Sequence, residues 1–301
     1  MGSTVYFGNR LKQAFIPAPD VGMTWSTTKR SNLIALEGGG VYVDDSQASH
    51  REGTAEWGTQ EPGAFRVVRE FLDGVWGPGP FYWTDPFAAD TNLLSPSWAT
   101  PGIIANGDWP QIHTSTYTAA VNLGNPGLLG VPGRGVTYAP TNLVGGSMPA
   151  RKFTILIPPG HKLALGTFGS ATGTGVVAAR ATLTNNAVAT PVTFTPLAFD
   201  GTTSFHSTNL FPYSEGHRLV DIYLGRTSAV ASTVSLTGMM ARLVREGENV
   251  PTEFQPFISG EGAGGLRFVG GVNETLHYAP RDPSMRAKGF SVKLAETGDW
   301  E

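Results

Sequence analysis

The chain has 301 residues and no cysteine, which excludes disulfides, thiolate metal sites and cysteine nucleophiles and leaves room for two compact domains. Its net charge of −3 comes from dispersed Lys and Arg set against slightly more Asp and Glu, so no basic stripe offers itself to a phosphate backbone and nucleic acid is excluded as a partner. Charged residues are only 15% of the total, against about a quarter in ordinary soluble domains, so part of the surface is expected to be buried against other subunits. No run approaches the ~18 apolar residues of a membrane span, and the first ten residues lack the apolar core of a signal peptide; the chain reads as soluble.

The 39 Gly and 22 Pro fall between short apolar runs, where turns are needed, which predicts many short strands. From the N-terminus these are Val5–Phe7, Lys12–Ile16, Met23–Thr28, Leu33–Leu36, a longer pair within Glu37–Trp57, and Phe81–Thr84. One amphipathic helix interrupts them. Pro62 stands in its first turn, and Phe65, Val68, Leu72, Val75 and Trp76 form its apolar face before Gly77-Pro78-Gly79-Pro80 ends it.

Beyond residue 92 period-2 alternation dominates. Lys152–Ile157 stops at Pro158-Pro159-Gly160, and Lys162–Phe168 resumes the alternation, which predicts a hairpin. Val176–Leu183, Val192–Thr195, His217–Leu224, Val230–Leu236 and Met239–Val244 follow at roughly ten-residue intervals, the rhythm of a β-sandwich or jelly roll. In the tail, Leu266–Val269 and Gly289–Leu294 are too few for independent stability and should complete the N-terminal sheet. The fold class is therefore all-β with one helix: a discontinuous domain, 1–91 plus 247–301, with a sandwich of residues 92–246 inserted between its halves.

Catalytic signatures are missing from the sequence. His50, His113, His161, His206, His217 and His277 are scattered, with no metal-ligand spacing among them. Gly38-Gly39-Gly40 and Gly173-Thr174-Gly175 lack the Lys-Ser/Thr ending of a phosphate loop and read as turns. Asp85 and Asp108 flank aromatic residues, but a glycosidase needs two carboxyls at a set separation, and Asp85 before Pro86 is an ordinary turn starter. No catalytic residue, metal or cofactor is assigned. Aromatic residues stand out more: Trp98, Trp109 and Tyr117, then Phe205, Phe211 and Tyr213, lie near predicted loops of the insert. Flat rings beside polar side chains can stack on sugars, whereas the competing role is core filling. Trp98, Trp109 and Tyr213 are the candidate glycan-contact residues.

The segment Phe71-Leu-Asp-Gly-Val-Trp-Gly-Pro-Gly-Pro-Phe-Tyr-Trp-Thr-Asp-Pro86 is followed by Asn92-Leu-Leu-Ser-Pro-Ser-Trp-Ala-Thr-Pro101. With Gly238-Met-Met-Ala-Arg-Leu243 and the ending Gly289–Glu301, it resembles the distal tail and minor tail proteins of long-tailed, siphovirus-type actinobacterial bacteriophages. These matches lie at both boundaries of the insert and at the C-terminus, and are weakest within the insert. The resemblance implies a ring-forming β-sandwich or split-barrel domain with a helix, and a peripheral jelly roll like a galectin or carbohydrate-binding module. It further implies a virion subunit at the distal end of the tail, a ring of usually six copies, and contacts with tail tube, tape measure and tip or hub proteins. Such a subunit performs no catalysis. Two rivals stay open: a monomeric or trimeric receptor-binding module for cell-surface glycan, and a tail-associated glycan hydrolase.

Overall fold

A computed structural model describes residues 4–20, 22–28, 31–35, 41–45, 50–60, 62–86, 91–100, 118–122, 134–138, 153–172, 177–184, 189–191, 204–209, 219–226, 233–249, 257–271, 273–278 and 286–297. The fold is all-β. Its strands are β1 (Thr4–Gly8), β2 (Gln13–Pro17), β3 (Met23–Thr28), β4 (Ser31–Ala35), β5 (Val41–Asp45), β6 (His50–Gln60) and β7 (Tyr82–Thr84), with helix α1 (Pro62–Leu72) before β7. After a one-turn helix α2 (Pro96–Ala99) come β8 (Thr118–Asn122), β9 (Arg134–Tyr138), β10 (Phe153–Leu156), β11 (His161–Thr172), β12 (Val177–Thr184) and β13 (Ala189–Pro191). The series ends with β14 (Ser204–Asn209), β15 (Leu219–Arg226), β16 (Thr233–Arg245), β17 (Leu266–Phe268), β18 (Asn273–Tyr278) and β19 (Arg286–Glu296).

Two compact units divide the chain: Met1–Val5, Ala14–Phe81 and Gly265–Gly298 in the first, Tyr6–Gln13, Tyr82–Gly264 and Asp299–Glu301 in the second. These bounds differ from the expected 1–91 plus 247–301 and 92–246, because residues 6–13, 82–91 and 247–264 cluster with the second unit.

In the first unit β19 is the central strand of an antiparallel sheet, paired with β6 on one side and with β17 and β18 on the other, while β3 lies beyond β6. The C-terminal strands thus extend a sheet begun by N-terminal ones. Alternation explains its two faces. Ala55, Trp57, Phe290, Val292 and Leu294 are buried, whereas Glu52, Glu56 and Lys293 between them are exposed. Trp57 stacks on Phe290 with centroids 4.4 Å apart, and its indole N–H donates to Pro17 O at 2.9 Å. Among the described residues the sheet stays open, without the closure a barrel requires.

Helix α1 buries Val68 and Phe71; Leu72 is only half-buried and Val75 is 61% exposed. The side chain of Phe65 lies outside the described residues. The expected face ran on through Val75 and Trp76, but the helix stops earlier. Gly74, at φ +72°, takes the left-handed position that a β-carbon disfavours. Its N–H donates to Phe71 O at 3.2 Å and the Val75 N–H reaches Glu70 O at 3.0 Å, the paired bonds of a Schellman ending. That reversal swings Val75 off the buried face. Phe71 instead meets Phe81 edge-on at 5.6 Å, and Phe81 packs on Phe268 at 4.9 Å.

The second unit holds a four-stranded and a five-stranded sheet, of order β10-β15-β12-β13 and β14-β11-β16-β9-β8. Among the described residues all their strand pairings are antiparallel. From β9 to β16 the eight strands divide four and four between the sheets, changing sheet repeatedly along the chain. This is the double-sheet winding of a jelly roll. The predicted β10–β11 hairpin does not form: β10 pairs with β15 and β11 with β16 and β14, because the Pro158-Pro159-Gly160 turn carries the chain from one sheet to the other. Residues 233–236 and 239–244, predicted in separate runs, belong to one strand, β16, whose ladder with β11 slips by one residue at Phe168/Gly169 instead of breaking. Strands β8, β9, β14 and β18 were not anticipated, and the expected Val192–Thr195 strand lies outside the described residues next to β13.

Candidate functional site

Of the three candidate glycan-contact residues, only Trp98 lies among the described residues. Trp98 sits on α2, where Pro96 occupies the first helical turn and the Trp98 and Ala99 N–H groups return to Ser95 O at 3.0 and 2.9 Å. Its indole is 0% exposed and lies against Phe153 with centroids 5.9 Å apart, so Trp98 fills the core and has no face for a sugar. This corrects its assignment as an exposed ring: the apolar demand of the sandwich interior outweighs a place near a loop. Trp109, Tyr213, Tyr117 and Phe211 lie outside the described residues, as does Asp108. Asp85 is exposed, and His161 accepts a turn role, with Nδ1 3.1 Å from Pro159 O. Among the described residues no group of three or more His, Asp or Glu side chains could hold a metal ion.

Two polar constellations that sequence reasoning missed organise the jelly roll. Opposed residues of β10 and β15 share a face, which puts Phe153, Ile222, Ile155 and Val220 on one side and Thr154, Asp221, Leu156 and Leu219 on the other. On that second side Leu156 and Leu219 cluster with Tyr6 and Tyr82, and the Thr84 hydroxyl donates to Leu156 O at 2.8 Å. Asp221, 2% exposed, accepts from the Thr154 hydroxyl at 2.6 Å and from Arg10 Nη2 at 3.1 Å. Arg10 is presented by a tight turn in which Asn9 Oδ1 accepts from the N–H groups of Leu11 (2.9 Å) and Lys12 (3.0 Å). An aspartate inside the apolar run Leu219–Leu224 was the available signal, since a carboxylate is seldom buried without a cationic partner.

The other constellation is Asn92, 0% exposed. Beyond Leu236, β16 lacks a described β9 partner for its outer edge, and the 92–94 segment takes that place. The Leu93 N–H donates to Ala241 O at 2.8 Å. Asn92 Nδ2 donates to Met239 O and Ile258 O at 2.9 Å each, and its Oδ1 accepts from Ala241 N at 3.0 Å and Leu94 N at 3.2 Å. All four hydrogen-bonding positions of the amide are used. Glycine at 262 allows the backbones to close on one another, because a β-carbon there would stand 1.8 Å from Leu93 O. On the face of β11 and β16 formed by Ala164, Met240 and Val244, Phe257 and Ile258 provide cover.

A two-stranded ladder lies in the first unit. The expected pair within 37–57 is replaced by a nested arrangement: β3 pairs with β6, and β4 pairs with β5 between them. Register sets Leu33 opposite Val43, Ile34 opposite Tyr42 and Ala35 opposite Val41.

No family model matches the chain, and no curated protein matches it. Among solved structures it is similar to the enzymatically active domain of bacteriophage CBA120 tailspike protein 4, with 16% identity, a TM-score of 0.29, half of this chain covered and 22% of that one. It is also similar to the VP2 subviral particle of infectious bursal disease virus, with 12% identity, a TM-score of 0.25 and 98% and 79% of the two chains covered. The chain thus spans less than a quarter of the tailspike domain's length. At such TM-scores neither likeness bears on how this protein works. Among the described residues no helix is long and apolar enough to cross a membrane.

Proposed function

We propose that the chain is a structural subunit of a phage tail tip, which assembles as a ring, most simply a hexamer, between the tail tube and the tip or hub proteins. The observation that carries this reading is the β4–β5 ladder, whose register sets Leu33 opposite Val43, Ile34 opposite Tyr42 and Ala35 opposite Val41, with only each other as described strand partners. A two-stranded ribbon of that composition is marginal by itself in water. Docking it on a second copy would cover the strand edges of this apolar ribbon, and a closed ring leaves no such edge over. The low share of charged residues and the resemblance of the 71–101 segment to distal tail proteins support the same reading. It places the protein in the virion, at the distal end of the tail, with no catalytic step, no cofactor and no nucleic-acid contact.

Ile34→Lys combined with Tyr42→Lys tests it. Mass photometry of the wild-type chain, alone and with its tail-tube partner, should show rings that the double variant fails to form while its circular dichroism is unchanged. Wild-type chain that remains monomeric in both settings, together with assembled tails carrying the double variant, would overturn the proposal.

The jelly-roll winding favours a second reading, since that architecture also serves lectin domains. In it the second unit contacts host glycan, through Trp109 and Tyr213 among the initial candidates. Glycan-array signal that disappears in Trp109→Ala and Tyr213→Ala would support this, and no signal from the folded wild-type chain would sink it.

A further inference from the structure

We draw no further inference here: the strongest candidate, the exposed Leu11 at the tip of the Asn9–Lys12 turn that Arg10 pins to Asp221, is an apolar knob for which nothing in the structure shows what covers it.

Discussion

Arg10 Nη2 stands 3.1 Å from each carboxylate oxygen of Asp221, a residue 211 positions further along the chain. The aspartate is 2% exposed and the arginine 33%, so one partner depends on the other far more than the reverse. Removing the arginine takes this cationic donor away from a buried carboxylate that also accepts from the Thr154 hydroxyl.

Arg10→Ala should therefore destabilise the second unit by about 3 kcal/mol, the lower end for breaking a buried pair from one side. Asp221→Asn in the Arg10→Ala background should recover part of the loss, because the amide carries no charge to strand. Urea midpoints of the four proteins in this cycle decide the matter, and equal midpoints for wild type and Arg10→Ala would show that the pair contributes nothing.

Asn92→Ala should cost more than about 3 kcal/mol, given about 1–3 kcal/mol for each buried polar group left unsatisfied. It orphans Met239 O, Ile258 O, Ala241 N and Leu94 N together. Amide exchange adds a local readout: the Ala241 N–H, protected in the wild type, should exchange faster in the variant.

On helix α1 the two ends of the apolar face should behave differently. Phe71→Ala removes a ring that is 1% exposed and should cost about 3–5 kcal/mol. Val75→Ser, past the Schellman turn, should stay within about 0.5 kcal/mol. Thermal melts of the two variants test this directly; comparable losses would mean that Val75 belongs to the core after all.

A fragment of residues 82–264 should melt at a higher temperature than one of residues 92–246. The shorter piece lacks Phe257 and Ile258, which cover Ala164, Met240 and Val244, and it lacks Tyr82 and the Thr84 hydroxyl bonded to Leu156 O. Adding residues 6–13 through a flexible linker should stabilise the longer fragment further by restoring Tyr6 and the Arg10–Asp221 pair. Identical melting of all three would show that these segments do not stabilise the jelly roll.

Local chemistry made much of the architecture legible. Alternating apolar residues marked most of the strands, Pro62 and the spacing around Val68 marked the helix, and the lack of cysteine and of grouped histidines limited the chemistry on offer. Alternation reports which face of a strand is apolar but not which neighbour it pairs with. For that reason Phe153–Leu156 was matched to the next strand in sequence, whereas the fold pairs it with β15, some 65 residues on by the register Phe153↔Ile222 to Leu156↔Leu219. Burial of Trp98 and the roles of Asn92, Arg10 and Asp221 were likewise decided only in three dimensions. Each depends on a partner distant in sequence, and a single polar or aromatic residue looks the same in a chain whether its partner is water or the far side of a sandwich.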